Sequence, residues 1–286
     1  MGNNIRKLTE NILGKDYVAG DLHGCLSLLQ RLLKEVEFDQ DRDRLFSVGD
    51  LIDRGPDSLG CLQLLAQPWF YAVQGNHENM LLNFFLPYLQ GGRIKNMNDV
   101  NKTDFLFNGG DWVEQYFLPD QQRMTPEFNQ GLLRTIDLPL LWIIGEGENR
   151  FHIIHAELVK SGYKNLKIPV WRDTEIDQWL DQQILPDNVE ERLAWARSIM
   201  SCQELPALQE GLSPTFCGHT YSPKPQQVLS HINLDTGAFL TQSDYPNGSS
   251  KKYSLTLFDV KGNCWFSGSY QRERVIREGF TVWAEV

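Results

Sequence analysis

The first third of the chain alternates between short apolar runs and longer amphipathic ones. Tyr17 to Gly20, Leu45 to Gly49 and Phe70 to Gln74 are apolar runs bounded by Gly or Asp, while Leu26 to Val36, Leu59 to Ala66 and Glu78 to Leu86 place apolar residues at helical spacing. This β-α-β-α-β-α series predicts a mainly parallel sheet covered by helices, with function in the loops beyond the carboxyl ends of the strands. From Gly91 to about Gln130, Asn, Gly and aromatic residues predict loops and helices around Trp112. Apolar runs return at Phe151 to Ile154, Thr215 to Cys217, Ile232 to Leu234, Tyr253 to Val260 and Cys264 to Phe266. The late runs are close together and joined by turn residues such as Lys261-Gly262-Asn263, which predicts a second, more antiparallel sheet. Ser161 to Gln209 reads as helical and charged, and Thr241 to Lys252 as a polar loop. No repeat or linker interrupts the pattern, so residues 1–286 are expected to form a single domain.

Composition narrows the class. Hydrophobic residues make up 41% of the 286, a globular rather than a disordered balance. The 27 basic residues against 37 acidic ones give a net charge of −10, the wrong sign for a nucleic-acid partner. An anionic substrate must therefore be drawn by a local positive site. Cys25, Cys61, Cys202, Cys217 and Cys264 form no Cys-x-x-Cys pair and read as reduced thiols of a cytoplasmic protein. Met1 to Lys15 lacks the apolar stretch of a signal peptide and no run approaches 18 apolar residues, so neither secretion nor a membrane span is expected.

Each of the first three strand ends delivers residues that bind metals: Gly20-Asp21-Leu22-His23-Gly24, then Gly49-Asp50-Leu51-Ile52-Asp53-Arg54-Gly55, then Gly75-Asn76-His77-Glu78. A fixed four-residue pattern arises by chance roughly once in 10⁵ positions, so three within 60 residues are not accidental. Asp21 and His23, two apart, point the same way in an extended segment and can share a cation. His155 and His219 end two later apolar runs. Each alone reads as a structural histidine; beside the other motifs they read as ligands. Six candidates, Asp21, His23, Asp50, Asn76, His155 and His219, exceed one four-coordinate site but suit two divalent cations sharing a carboxylate, with Asp50 as the central bridge. Mixed nitrogen and oxygen donors without Cys favour Mn, Fe or Zn over Ca.

Two cations serve an in-line displacement at phosphorus, in which they activate a bridging hydroxide and neutralise phosphoryl charge. Arg54 can pair with phosphate oxygens. His77 is placed to protonate the leaving oxygen, with Asp53 orienting its imidazole. With two cations bound, these groups leave the site at about +2, which offsets the acidic surface.

These motifs resemble the metallophosphoesterase signature and, within it, the phosphoprotein phosphatases. The likeness extends to the compact bacterial and phage branch that includes the lambda phage protein phosphatase. It is carried further by Asn108-Gly109-Gly110 before Trp112, by Cys217-Gly218-His219-Thr220 and by Leu234-Asp235-Thr236-Gly237-Ala238. It is dense over residues 16 to 112, patchy to 240 and absent beyond. The resemblance implies an α/β fold, a two-sheet β-sandwich flanked by helices, with a dinuclear metal site at the strand ends. The core would be about 16–240, with 241–286 extending a sheet or shaping a groove. It further implies that Asp21, His23 and Asp50 hold one metal and Asp50, Asn76, His155 and His219 the other. Mn²⁺ is the expected metal.

By the same resemblance, His77 acts as general acid backed by Asp53, Arg54 clamps phosphate, and a second clamp lies on a W-x-R pattern. Trp195-Ala196-Arg197 matches that pattern, and Trp171-Arg172 competes with it. The implied activity is a metal-dependent serine/threonine protein phosphatase acting on phosphoproteins or phosphopeptides. The alternatives are a symmetrical dinucleoside tetraphosphatase or another small-molecule phosphoesterase, and a non-catalytic phosphopeptide-binding scaffold of the same fold. One departure is His155-Ala156-Glu157, where the family has Gly third. The eight tryptophans, His152, His231, Cys25 and Cys217 read as structural, and Asp235 as the holder of a turn.

Overall fold

The computed structural model describes residues 4–94, 103–158, 173–183, 189–200, 213–228, 230–243 and 251–280. After β1 (Ile5–Leu8) come β2 (Asp16–Ala19), α1 (Leu26–Glu35), β3 (Arg44–Ser47), α2 (Ser58–Gln63), β4 (Phe70–Ala72) and α3 (Asn76–Leu89), the expected alternation. The middle holds α4 (Asp104–Phe107), the short pair β5 (Phe117–Leu118) and β6 (Arg123–Met124), and α5 (Pro126–Thr135). Then follow β7 (Leu141–Ile144), β8 (Phe151–Ile153), α6 (Asp173–Asp181), α7 (Val189–Trp195), β9 (Thr215–Cys217), β10 (Gln226–Val228), β11 (His231–Asn233), β12 (Leu255–Asp259), β13 (Cys264–Gly268) and β14 (Ile276–Gly279). Both α6 and α7 fall within the stretch expected to be helical.

Two six-stranded sheets carry the fold, ordered β14-β13-β12-β2-β3-β4 and β1-β7-β8-β9-β11-β10. In the first, β2, β3 and β4 run parallel, with Ala19 opposite Ser47 and Ser47 opposite Ala72, so three loops leave the sheet at one level. The late apolar runs depart from expectation. Tyr253 to Val260 and Cys264 to Phe266 do not build the second sheet; β12 pairs antiparallel with β2, Phe258 opposite Val18, and β13 and β14 continue outward from it. Alternation specifies which face of a strand is buried but not which neighbour it takes. The second sheet is mixed rather than mainly antiparallel: β8, β9 and β11 run parallel, as do β1 and β7, with antiparallel pairs at β7–β8 and β10–β11.

Period-two alternation sorts the strand side chains into layers. Val18, Phe46 and Phe258 of the first sheet meet Ile144, Phe151 and Phe216 of the second in the core between them. On the first sheet's outer face, Tyr17, Ala19 and Leu45 pack with Leu28, Leu29 and Leu32 of α1 and Leu62 of α2. On the second sheet's outer face, Leu141 and Ile143 pack with Ile176 and Leu180 of α6 and Leu193 of α7. The order is helix, sheet, sheet, helix, and each fully buried Leu or Phe contributes about 1.5–3 kcal/mol to holding it.

Candidate metal centre

The loops after β2, β3 and β4 bring Asp21 and His23, Asp50 with Asp53 and Arg54, and Asn76 with His77 to one edge of the sandwich. His155 and His219, each two residues beyond a strand of the second sheet, reach the same edge. None of the six candidate ligands is more than 5% exposed. The local backbone is strained: His23 (φ 41°), Asp50 (49°), Asp53 (72°), Arg54 (69°) and His219 (68°) all lie in the left-handed region that L-residues avoid. Buried Glu78 holds two of these loops together. Its carboxylate accepts the amides of Asp50 (3.0 Å), Leu51 (2.8 Å) and Gly75 (2.9 Å). Gly218 allows a close approach, since a Cβ there would stand 1.9 Å from Asp21 Oδ1.

Two groups of ligand atoms form, each within 4.8 Å: His23, Asp50 and His77, and Asp50, His155 and His219. Asp50 belongs to both. Its Oδ2 lies 3.6 Å from His23 Nε2 and its Oδ1 lies 3.3 Å from His155 Nε2, so the two oxygens of one carboxylate face opposite halves of the centre. Asp21 is turned toward His219, whose amide it accepts at 3.1 Å, while His77 stands in the group that the sequence gives to Asp21. The imidazoles are oriented by carbonyls: His23 Nδ1 donates to Ile52 O (2.8 Å), His155 Nδ1 to Val48 O (2.8 Å) and His219 Nε2 to Trp195 O (3.2 Å). Each ring keeps its other nitrogen as a lone-pair donor.

The charge state suits a cation. Burial, with Asp235 and Asp50 nearby, pushes the Asp21 carboxyl well above its usual range, and burial pushes Asp235 up to about 6. Burial lowers His23 and His155 and brings His219 down to about 3, so these rings are neutral. His155 Nε2 and Asn76 Oδ1, both acceptors, face each other at 2.9 Å. Neutral imidazoles, carboxyl groups crowded against one another and an amide oxygen converge here, a donor set that fits divalent metal ions of the Mn, Fe or Zn type.

Beside the centre, His77 Nδ1 lies 2.5 Å from Asp53 Oδ2, and Trp112 Nε1 donates to Asp53 Oδ1 at 2.6 Å. Burial alone would lower the His77 pKa, but Asp50 and Asp53 together hold it above its usual value. Half-buried Arg54 donates from Nη1 to His23 Nε2 (2.8 Å) and lies 4.8 Å over the Phe239 ring. Arg197 is exposed and donates to the His219 carbonyl (2.7 Å), which brings it to the centre's rim. Its competitor Arg172 lies outside the described residues. Glu157, the departure from the family pattern, is buried and accepts from Ser198 Oγ (2.8 Å) and the amides of Ile199 (2.7 Å) and Met200 (2.9 Å). It fixes the turn that follows Arg197.

Glu78, Glu157 and Trp112 are the residues whose roles the sequence does not disclose; Glu78 and Trp112 stood inside recognised motifs without a function. Trp69, Trp142 and Trp265 are buried, as expected. Trp195 instead is 45% exposed at the rim, its ring 6.2 Å from that of His219. His152 faces the opposite side from the centre, toward Arg150 and Thr215. His231 accepts the Leu158 amide at 2.9 Å, and Asp235 holds a turn through the Gly237 amide (2.9 Å). Cys25, Cys61, Cys217 and Cys264 are buried free thiols, and Cys202, Trp171 and Trp283 lie outside the described residues. Among the described residues no helix is long and apolar enough to cross a membrane.

A family model described as calcineurin-like phosphoesterase matches residues 17–223. Serine/threonine-protein phosphatase 1 of Salmonella typhimurium is 51% identical over 96 residues, 34% of this chain and 39% of that protein. Serine/threonine-protein phosphatase 2 of the same organism is 30% identical over 247 residues, 86% of this chain and 92% of that one. A symmetrical bis(5'-nucleosyl)-tetraphosphatase of Shewanella baltica is 29% identical over 165 residues, 57% of this chain and 59% of that protein.

Proposed function

The chain belongs to the calcineurin-like phosphoesterase family, and on that footing we propose that it is a metal-dependent phosphatase hydrolysing phosphoserine and phosphothreonine in proteins. Asp21, His23, Asp50, Asn76, His155 and His219 would hold two divalent ions, with manganese the first choice. When bound, these ions supply Lewis acidity toward phosphoryl oxygens and a lowered pKa for the attacking water.

The observation that carries the reading is the His77–Asp53 pair. A serine or threonine alkoxide is a poor leaving group and needs a proton as the P–O bond breaks; a buried imidazole with one nitrogen fixed by a carboxylate supplies it from the other. Arg54 and Arg197, on two sides of the centre, orient the phosphoryl oxygens. The chain's substrates on this reading are phosphoproteins or phosphopeptides, met in the cytoplasm, with no nucleic acid among them.

A second reading is favoured by the tetraphosphatase relative. Cleavage of a phosphoanhydride uses the same donor set and depends less on His77. Metal-stripped protein, with and without added Mn²⁺, should be offered a phosphothreonine peptide and diadenosine tetraphosphate. Mn-dependent phosphate release from the peptide supports the protein phosphatase; preferential splitting of the dinucleotide replaces it with the second reading. Silence on both, with phosphopeptide still bound, would leave a scaffold.

A further inference from the structure

Asp53 is enclosed, and each of its carboxylate oxygens has one donor: His77 Nδ1 at Oδ2 and Trp112 Nε1 at Oδ1, 2.5 and 2.6 Å away. A carboxylate held at one oxygen can turn about its Cβ–Cγ bond. Held at both, its plane is fixed, and so is the ring bonded to it. The indole carries a donor and no acceptor, so it can only address the carboxylate.

The direction of that indole is itself built in. The Trp112 ring lies 5.7 Å from Phe128 of α5, and Phe128 lies 5.1 Å from Phe85 of α3. Helix α3 carries His77 in its first turn and Phe85 roughly 12 Å further along its axis. The acid and the stack that aims its carboxylate therefore hang from one helix, and the path from His77 through Asp53, Trp112, Phe128 and Phe85 closes on itself. The same segment reaches Arg54: Gly109, at φ 99°, runs so close that a Cβ there would stand 3.0 Å from the Arg54 amide nitrogen.

We propose that Trp112 is a positioning residue for proton delivery to the leaving group, acting through Asp53 on His77. The inference rests on His77 being the general acid. In the step it serves, water adds to phosphorus, the leaving oxygen takes both electrons of the broken P–O bond, and the Nε2 proton of His77 neutralises that oxygen. Removing the indole N–H leaves Oδ1 of a buried carboxylate without its donor and lets Asp53, and the ring with it, turn away. The loss then scales with how much the leaving group needs a proton.

Trp112→Phe keeps an aromatic ring and removes the N–H. With metal-loaded protein, its kcat on a phosphothreonine peptide should fall about 10- to 100-fold and on phenyl phosphate by an intermediate factor. On p-nitrophenyl phosphate it should stay within about threefold, with KM little changed throughout. In a His77→Asn background the same substitution should cost nothing more, because the two residues act as one unit. Equal falls on all substrates, or a further full loss in the double variant, would overturn the proposal. If Trp112→Phe does not fold, Phe128→Leu, which withdraws the ring packed on the indole, should give the same selective pattern at smaller size. Wild-type protein that cleaves both aryl phosphates but not the peptide would end the protein-phosphatase reading and leave the aryl pair to decide on Trp112. Silence on all three substrates would overturn both.

Discussion

His155 Nε2 and Asn76 Oδ1 stand 2.9 Å apart, two acceptors facing each other, while His155 Nδ1 is engaged by the Val48 carbonyl. Such a pair repels until a cation or a proton lies between, and burial disfavours the proton on the ring. Dialysed protein loaded with Mn²⁺ is therefore expected to carry two ions per chain by elemental analysis, and His155→Ala one. Free metal at 100 times its Kd should stabilise the fold by about 2.7 kcal/mol, read as a rise in melting temperature over chelated protein. Equal melting with and without metal would count against the assignment.

Glu78 spans two motifs with one carboxylate. Glu78→Gln puts an amide NH₂ against backbone donors and orphans at least one of the three amides. A loss of about 3 kcal/mol is expected, measured by urea denaturation of metal-stripped protein. An unchanged midpoint would mean that the strained loop at Asp50 stands without this brace.

Acid should destabilise the protein through His231. Burial brings this histidine down to about 4, so between that value and the unfolded value near 6.5 the unfolded chain binds the extra proton. The contribution is complete above about pH 6.5 and is lost as the pH falls toward 4. Between pH 7 and pH 5, metal-stripped wild type should lose about 2 kcal/mol more than His231→Gln. Parallel pH profiles for the two proteins would show that the residue does not titrate as its burial requires.

Arg197 is exposed and, among the described residues, is tied to the centre through the His219 carbonyl and Thr220. Arg197→Ala should raise KM about tenfold, the value of one hydrogen bond to a charged group, with metal content unchanged. Glu157→Gln, by loosening the turn at Ser198 to Met200, should move KM the same way by less. A KM unmoved in Arg197→Ala would pass the clamp to Arg172.

The centre was legible in the sequence because each candidate ligand follows a strand by two to four residues, and parallel neighbours carry such offsets to one edge. Asp21, Asp50 and Asn76 could be placed from that alone. What stayed hidden is pairing between distant segments. Ile5-Arg6-Lys7-Leu8 and Ile276-Arg277-Glu278-Gly279 form strands without an apolar run; they take their conformation from their neighbours rather than from their own periodicity. The residence of β12 beside β2 depends on a partner more than 230 positions away. Trp112 and Glu157 were opaque for a related reason, since their roles lie in what a single N–H or carboxylate happens to meet in space.

Strand β12 hydrogen-bonds along the flank of β2 that does not face β3. Without it, the strand leading into Asp21 would end the sheet, with a row of unpaired amides and carbonyls open to any other extended chain. The late segment thus makes the strand that leads into Asp21 an interior one. Among the described residues it moves the sheet's border out to β14, where Arg277 and Glu278 make a poor template for aggregation.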